Sequence, residues 1–158
     1  MNDSKHLVGH ANLVVKKAAV LPVWDDQTDS AGKQGKRFRT GEVVVRVTVA
    51  NIGKKIAGPS RTSISLIKAQ NADFLDSIET PEIAEGREFD VESRRLTLKE
   101  PGAIVILADA PVAAEAKGMV REYGVMTSMK GEMDNAFAFP FDGGEVEDPH
   151  EYDNPVVH

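Results

Sequence analysis

Glu42-Val43-Val44-Val45-Arg46-Val47-Thr48-Val49-Ala50 is the stretch that decides the fold. Val43, Val45, Val47 and Val49 recur at every second position against Arg46 and Thr48. Successive side chains of an extended backbone point to opposite faces, so this spacing gathers the valines on one side. A helix would scatter the same residues around its circumference. The segment therefore reads as a strand with one buried face, and Asn51-Ile52-Gly53 ends it with turn-forming residues.

The same period continues on either side. Thr62 to Ala69 alternates Ile64 and Leu66 with Ser63 and Ser65, and Glu88 to Leu98 places Phe89 and Val91, then Leu96 and Leu98, on a second long or interrupted strand. Ala103 to Ala108 is a short, continuous apolar run, the pattern of a strand buried on both faces. Asn135 to Phe139 reads as a closing strand, and Ala11 to Trp24 as a first strand, broken before Pro22. Ile78 to Ile83 contains Pro81, which confines it to a sheet edge. Helix is scarce, with Pro111 to Lys117 the one candidate. The expected fold is all-β, an immunoglobulin-like antiparallel sandwich of about seven strands spanning residues 11–141. Residues 25–40 and 111–134 read as insertions, 1–10 as an N-terminal arm and 142–158 as an acidic C-terminal arm.

Composition narrows the chemistry. The 158 residues suffice for one core, and 41% apolar with 28% charged residues is a globular balance. No cysteine is present, which excludes disulfides, thiolate metal sites and a cysteine nucleophile. The net charge of −6 argues against a general nucleic-acid binder. No stretch approaches the roughly 18 apolar residues of a membrane span, and the polar start Met1-Asn2-Asp3-Ser4-Lys5-His6 leads into no secretion signal. Nucleic acid and membrane insertion are therefore not expected.

Val45-Arg46-Val47-Thr48-Val49-Ala50-Asn51-Ile52-Gly53, followed by Ala57-Gly58, resembles the second-strand signature of the bacterial CARDB family, immunoglobulin-like modules named for an association with cell adhesion. Pro81 to Gly86, Pro101-Gly102 and Asp134-Asn135 resemble the turns before that family's later strands. The resemblance spans residues 11–139 and implies a surface module for adhesion or glycan attachment.

Catalytic groupings do not emerge from the sequence. His6, His10, His150 and His158 all lie in terminal segments. Gly32-Lys33-Gln34-Gly35-Lys36-Arg37 lacks the glycine spacing of a phosphate loop, and the acidic residues Glu145 to Glu151 lack the spacing and fixed glycine of an EF-hand. No cofactor or metal is expected. Two features point instead to contact with other proteins. Lys33, Lys36, Arg37 and Arg39 cluster in a polar segment, opposite in charge to Asp142, Glu145, Glu147, Asp148, Glu151 and Asp153 near the C-terminus. Met119, Met126, Met129 and Met133 share the 111–134 insertion with Tyr123, and methionine suits both irregular core gaps and adaptable contact surfaces. That insertion either folds back over its own sandwich or packs on another subunit. With Phe137, Phe139 and Phe141, these methionines and Tyr123 are the candidate partner contacts. The expectation is a non-enzymatic subunit of an assembly such as a virus particle or cell-surface layer, contacting copies of itself or other virion or surface proteins. A monomeric adhesion or glycan-binding module is the alternative. A virion or extracellular setting suits either.

Overall fold

The computed structural model describes residues 11–28, 30–69, 71–109, 135–143 and 146–155, without the side chains of residue 27 and residues 36–40. Among these residues there is no helix. The strands are β1 (Leu13–Thr28), β2 (Gln34–Asn51), β3 (Ser60–Ile67), β4 (Ala72–Thr80), β5 (Glu88–Glu92), β6 (Leu96–Thr97), β7 (Gly102–Leu107), β8 (Ala136–Phe141) and β9 (His150–Asp153). They form two antiparallel sheets, one ordered β5-β2-β1-β9 with β6 also on β2, the other ordered β4-β3-β7-β8. The fold is an all-β antiparallel sandwich.

The valine alternation places the core. Val43, Val45, Val47 and Val49 are at most 2% exposed and face Ile64, Leu66, Ile104 and Ile106 of the second sheet within a single apolar cluster. Fully burying a side chain of this size stabilises by about 1.5–3 kcal/mol, so this layer supplies the main gain of folding. The interruption expected between Glu88 and Leu98 is present, since β5 and β6 pair with successive parts of β2 and Val91, Leu96 and Leu98 join the core.

β7 is buried on both faces, as its unbroken apolar run predicts. Ile104 and Ile106 enter the central core, while Val105 and Leu107 belong to a second cluster on the outer face of their sheet. The register sets rows across that face. Ser63, Leu107 and Ala136 align nearest the β7–β8 connection, then Ser65, Val105 and Ala138, then Ile67 and Ala103 farthest away. Gly102 begins β7 where an added Cβ would lie 2.5 Å from the Ile67 carbonyl oxygen, a contact that only glycine avoids.

Three sequence expectations need correction. Residues 25–40 are not an irregular insertion: β1 and β2 continue past the sandwich as a hairpin, with Trp24 opposite Phe38 and Thr28 opposite Gln34. The acidic 142–158 segment is not a free arm, because β9 pairs with Lys17 to Val20 of β1 and Val146 is buried in the core. The edge strand assigned to Ile78–Ile83 is instead β4, which ends before Pro81 and carries an irregularity opposite Ile64 and Ser65, so its pattern never alternates cleanly. The helix candidate Pro111–Lys117 and the N-terminal arm 1–10 lie outside the described residues. β1 runs through Pro22 because the β9 pairing stops at Val20, so no ladder bond is required of proline there.

Asn51 fastens one end of the sandwich. Its Oδ1 accepts from the backbone N–H groups of Asn12 (3.2 Å) and Gly53 (3.0 Å), while its Nδ2 donates to the carbonyls of Lys55 (2.7 Å) and Ile83 (3.0 Å). One buried side chain thus ties the β2–β3 loop to β1 and to the turn after β4. Asn51→Ala is expected to lower stability by about 2–4 kcal/mol in urea denaturation, because it orphans several backbone groups at once.

Candidate interaction surface

Among the described residues, the hairpin formed by the distal parts of β1 and β2 is the most prominent feature outside the sandwich. Its five paired positions from Trp24 to Thr28 extend about 17 Å. The departure from the sandwich is built in at a bulge, where the register passes from Pro22↔Val43 to Trp24↔Phe38 and leaves residues 39–42 of β2 opposite Val23 alone. Gly41 sits in this bulge at φ +78°, a left-handed conformation that side chains disfavour, and its carbonyl accepts from the Leu98 N–H at 3.0 Å. The Arg95 guanidinium grips Asp25 at 2.9 Å and steadies the base of the hairpin against the β5–β6 connection.

Trp24 at this base is 45% exposed, and residues 30–35 around the tip are exposed. The basic cluster acquires a different meaning here. Lys33 lies at the turn, while Arg37 and Lys36 stand at register positions opposite Asp25 and Asp26. The register therefore interleaves acidic and basic positions along the hairpin backbone. Sequence reading missed this because the acidic partners precede the basic ones by about ten residues, a separation that only the hairpin register closes.

Phe137, Phe139 and Phe141 are not surface contacts. They are 8%, 4% and 5% exposed and point into the core, because their spacing of two follows the inward face of β8. The Phe139 ring stacks on Tyr152 of β9, with centroids 4.1 Å apart and planes at 15°. This contact joins the two sheets at the edge where β8 and β9 approach. Met119, Tyr123, Met126, Met129 and Met133 lie outside the described residues. Among the C-terminal acids, Asp153 stands opposite Lys17 and Glu151 opposite Ala19 in the β1–β9 register.

An open cavity of about 310 Å³ lies beside this edge, lined by Val20, Phe141 and Val146 with Asp142, His150 and Tyr152 at its polar side. Among the described residues no group of three or more histidines and carboxylates is placed to hold a metal ion. The outer face of the first sheet is charged and paired: Lys16 reaches Glu88 at 2.7 Å, Arg46 reaches Glu92 at 2.8 Å, and Thr48 donates to Asp90 at 2.6 Å. Such exposed pairs contribute little stability, but charge along an edge strand such as β5 discourages unwanted strand pairing. At the β3–β4 turn Lys68 bridges Asp73 (2.8 Å) and Glu100 (3.0 Å), and these hydrogen bonds raise its pKa above the ordinary lysine value. A raised lysine pKa favours the fold below the ordinary value of 10.5, and that contribution fades as pH rises through the folded value.

No family model, curated protein or solved structure matches this chain.

The stacked pair yields a test of the C-terminal correction. Tyr152→Ala is expected to lower stability by about 2–3 kcal/mol in urea denaturation, since it removes a half-buried ring that bridges both sheets. A free tail would leave the midpoint unchanged.

Proposed function

We propose that this protein is a non-enzymatic structural subunit, built into a larger protein assembly such as a virus particle, as a decoration, head or tail component, or a cell-surface layer. The hairpin carries the reading. A sandwich needs no strand continuation beyond its core to be stable, yet β1 and β2 extend together, turn at a glycine bulge and are braced by Arg95. An arm of this kind presents a preformed surface, so little ordering entropy is lost when it docks. Its half-exposed tryptophan is the residue type most often found at the energetic centre of protein contacts. The partners are copies of this chain or neighbouring subunits.

A second reading draws on the same tryptophan. A half-exposed indole at the base of the hairpin offers apolar surface to a sugar ring, which suits the adhesion or glycan-binding module implied by the CARDB-like signature.

Trp24 is the chain's single tryptophan, so its emission reports this surface alone. Association through the arm is expected to shift that emission to the blue as concentration rises, with a parallel gain in mass by sedimentation. Replacing Asp26 to Lys36 by Asn-Gly closes the hairpin with a tight turn and is expected to abolish both changes, while moving stability by only about 0.5 kcal/mol. A full chain that stays monomeric to about 1 mM, where association would supply only about 4 kcal/mol, counts against self-assembly. An emission shift on glycan titration without a gain in mass selects the second reading.

A further inference from the structure

Two strand edges of opposite charge lack a neighbouring strand among the described residues. β9 is paired on one side only, with Lys17 to Val20 of β1. The Asn154 N–H donates to the Lys16 carbonyl at 3.0 Å, and antiparallel ladder bonds fall on every second residue. By that alternation His150 and Tyr152 turn their backbone groups toward β1, while Glu151 and Asp153 turn theirs outward. Both outward residues are exposed. Pro149 falls on the same outward side, where its missing N–H leaves no gap in the β1 ladder. The other edge belongs to the arm. Gln34 to Phe38 of β2 pair with β1, whereas the pairing of β2 with β6 begins only at Glu42.

The two edges carry matching patterns. Glu151-Tyr152-Asp153 sets two acids around an aromatic residue, and Arg37-Phe38-Arg39 sets two bases around another. Residues two apart on a strand share a face, so one register opposes both arginine positions to both acidic ones, whichever way the strands run. We propose that the arm of one copy adds its β2 edge to β9 of a second copy and so continues the first sheet from molecule to molecule. The proposal rests on the arm being the element of assembly and names what it grips.

Topology requires the second copy. β1 lies between β2 and β9, and Arg37 stands opposite Asp25, about 17 Å along β1 from Val20, where the β9 pairing stops. An arm therefore cannot reach the β9 of its own chain. Pairing of like with like is disfavoured, because β9 on β9 opposes acids and arm on arm opposes arginines. The remaining candidate edges are engaged. On β5, Lys16 holds Glu88, Arg46 holds Glu92 and Thr48 holds Asp90, whereas no ion pair joins Glu151 or Asp153 to a described residue. On β4, the Arg94 guanidinium donates to the Leu75 carbonyl at 3.0 Å and the Arg94 N–H to the Asp76 carboxylate at 2.9 Å, which plugs that edge. Asp25, the register partner of Arg37, is itself held by Arg95. Each copy offers one arm and one β9, so the contact is heterologous and builds rings or open chains rather than closed pairs.

Charge reversal tests the pairing. Glu151→Lys with Asp153→Lys, and separately Arg37→Glu with Arg39→Glu, are each expected to weaken self-association at least about tenfold by sedimentation, with the β-sheet circular dichroism retained. An equimolar mixture of the two variants is expected to regain the association of the unaltered chain, because each arm then meets a β9 of opposite charge. Loss in both variants with no recovery in the mixture overturns the proposal. Association that survives reversal on β9 but is abolished by shortening the hairpin overturns it too, and leaves the arm as the element of assembly. A chain that stays monomeric to about 1 mM overturns both. If a reversed variant does not fold, the absence of cysteine permits a second measurement. Glu151→Cys is mixed in turn with Arg37→Cys and with Arg39→Cys, and in one of the two mixtures the mixed disulfide is expected to outnumber those between like chains. A statistical yield in both mixtures overturns the proposal.

Discussion

Everything in this molecule is arranged around β2. It hydrogen-bonds to β1 along nearly its whole length and to β5 and β6 on its other side, so it is the strand that no neighbour can replace. Its valines form one wall of the core, its last residue Asn51 fastens the loops at one end, and its first residues build the hairpin at the other. The alternating side chains settle which face is inward, and a slip of one residue would turn every valine to solvent. Core, loop anchorage and projecting arm thus share a single register.

That dependence explains what could be read from the residues. Wherever one face is buried and the other wet, the period of two is plain, as in Val43 to Val49 and Ile64 to Leu66. β7 was equally legible, because burial on both faces leaves an unbroken apolar run. β4 was not, since its irregularity opposite Ile64 and Ser65 disrupts the spacing and its edge position leaves it half exposed. The hairpin escaped for a different reason: its strands owe their form to each other rather than to a core, and their polar, glycine-containing composition matches that of a loop. β9 was hidden by its charge, and it belongs to the sandwich through its pairing with β1 and the stacking of Tyr152 on Phe139, with Val146 just before it in the core.

The candidate surface followed the same logic. Phenylalanines spaced by two looked available to a partner, but spacing by two on a strand means a shared face, and here that face is inward. Lys36 and Arg37 read as part of a basic cluster because the acidic positions opposite them in register, Asp26 and Asp25, lie on the other strand. Trp24 drew no attention in the sequence, where it reads as the last residue of a first strand. Its exposure arises from the bulge at Gly41, a feature set by backbone conformation and carried by no residue pattern.

One bond spans most of the chain. The Asn154 amide donates to the Val15 carbonyl at 2.9 Å, joining positions 139 residues apart, beside the four register pairs of β9 on β1. During synthesis β1 finds β2 early, yet its other edge stays unpaired until β9 has left the ribosome. For that interval the nascent chain offers an unsatisfied strand edge to any extended peptide nearby. Contacts of such separation are slow to form, and slow edges invite aggregation. Exchange of β9 between two newly made molecules would satisfy the same groups, so crowding at the site of synthesis favours a domain-swapped dimer as the characteristic misfolded product of this topology.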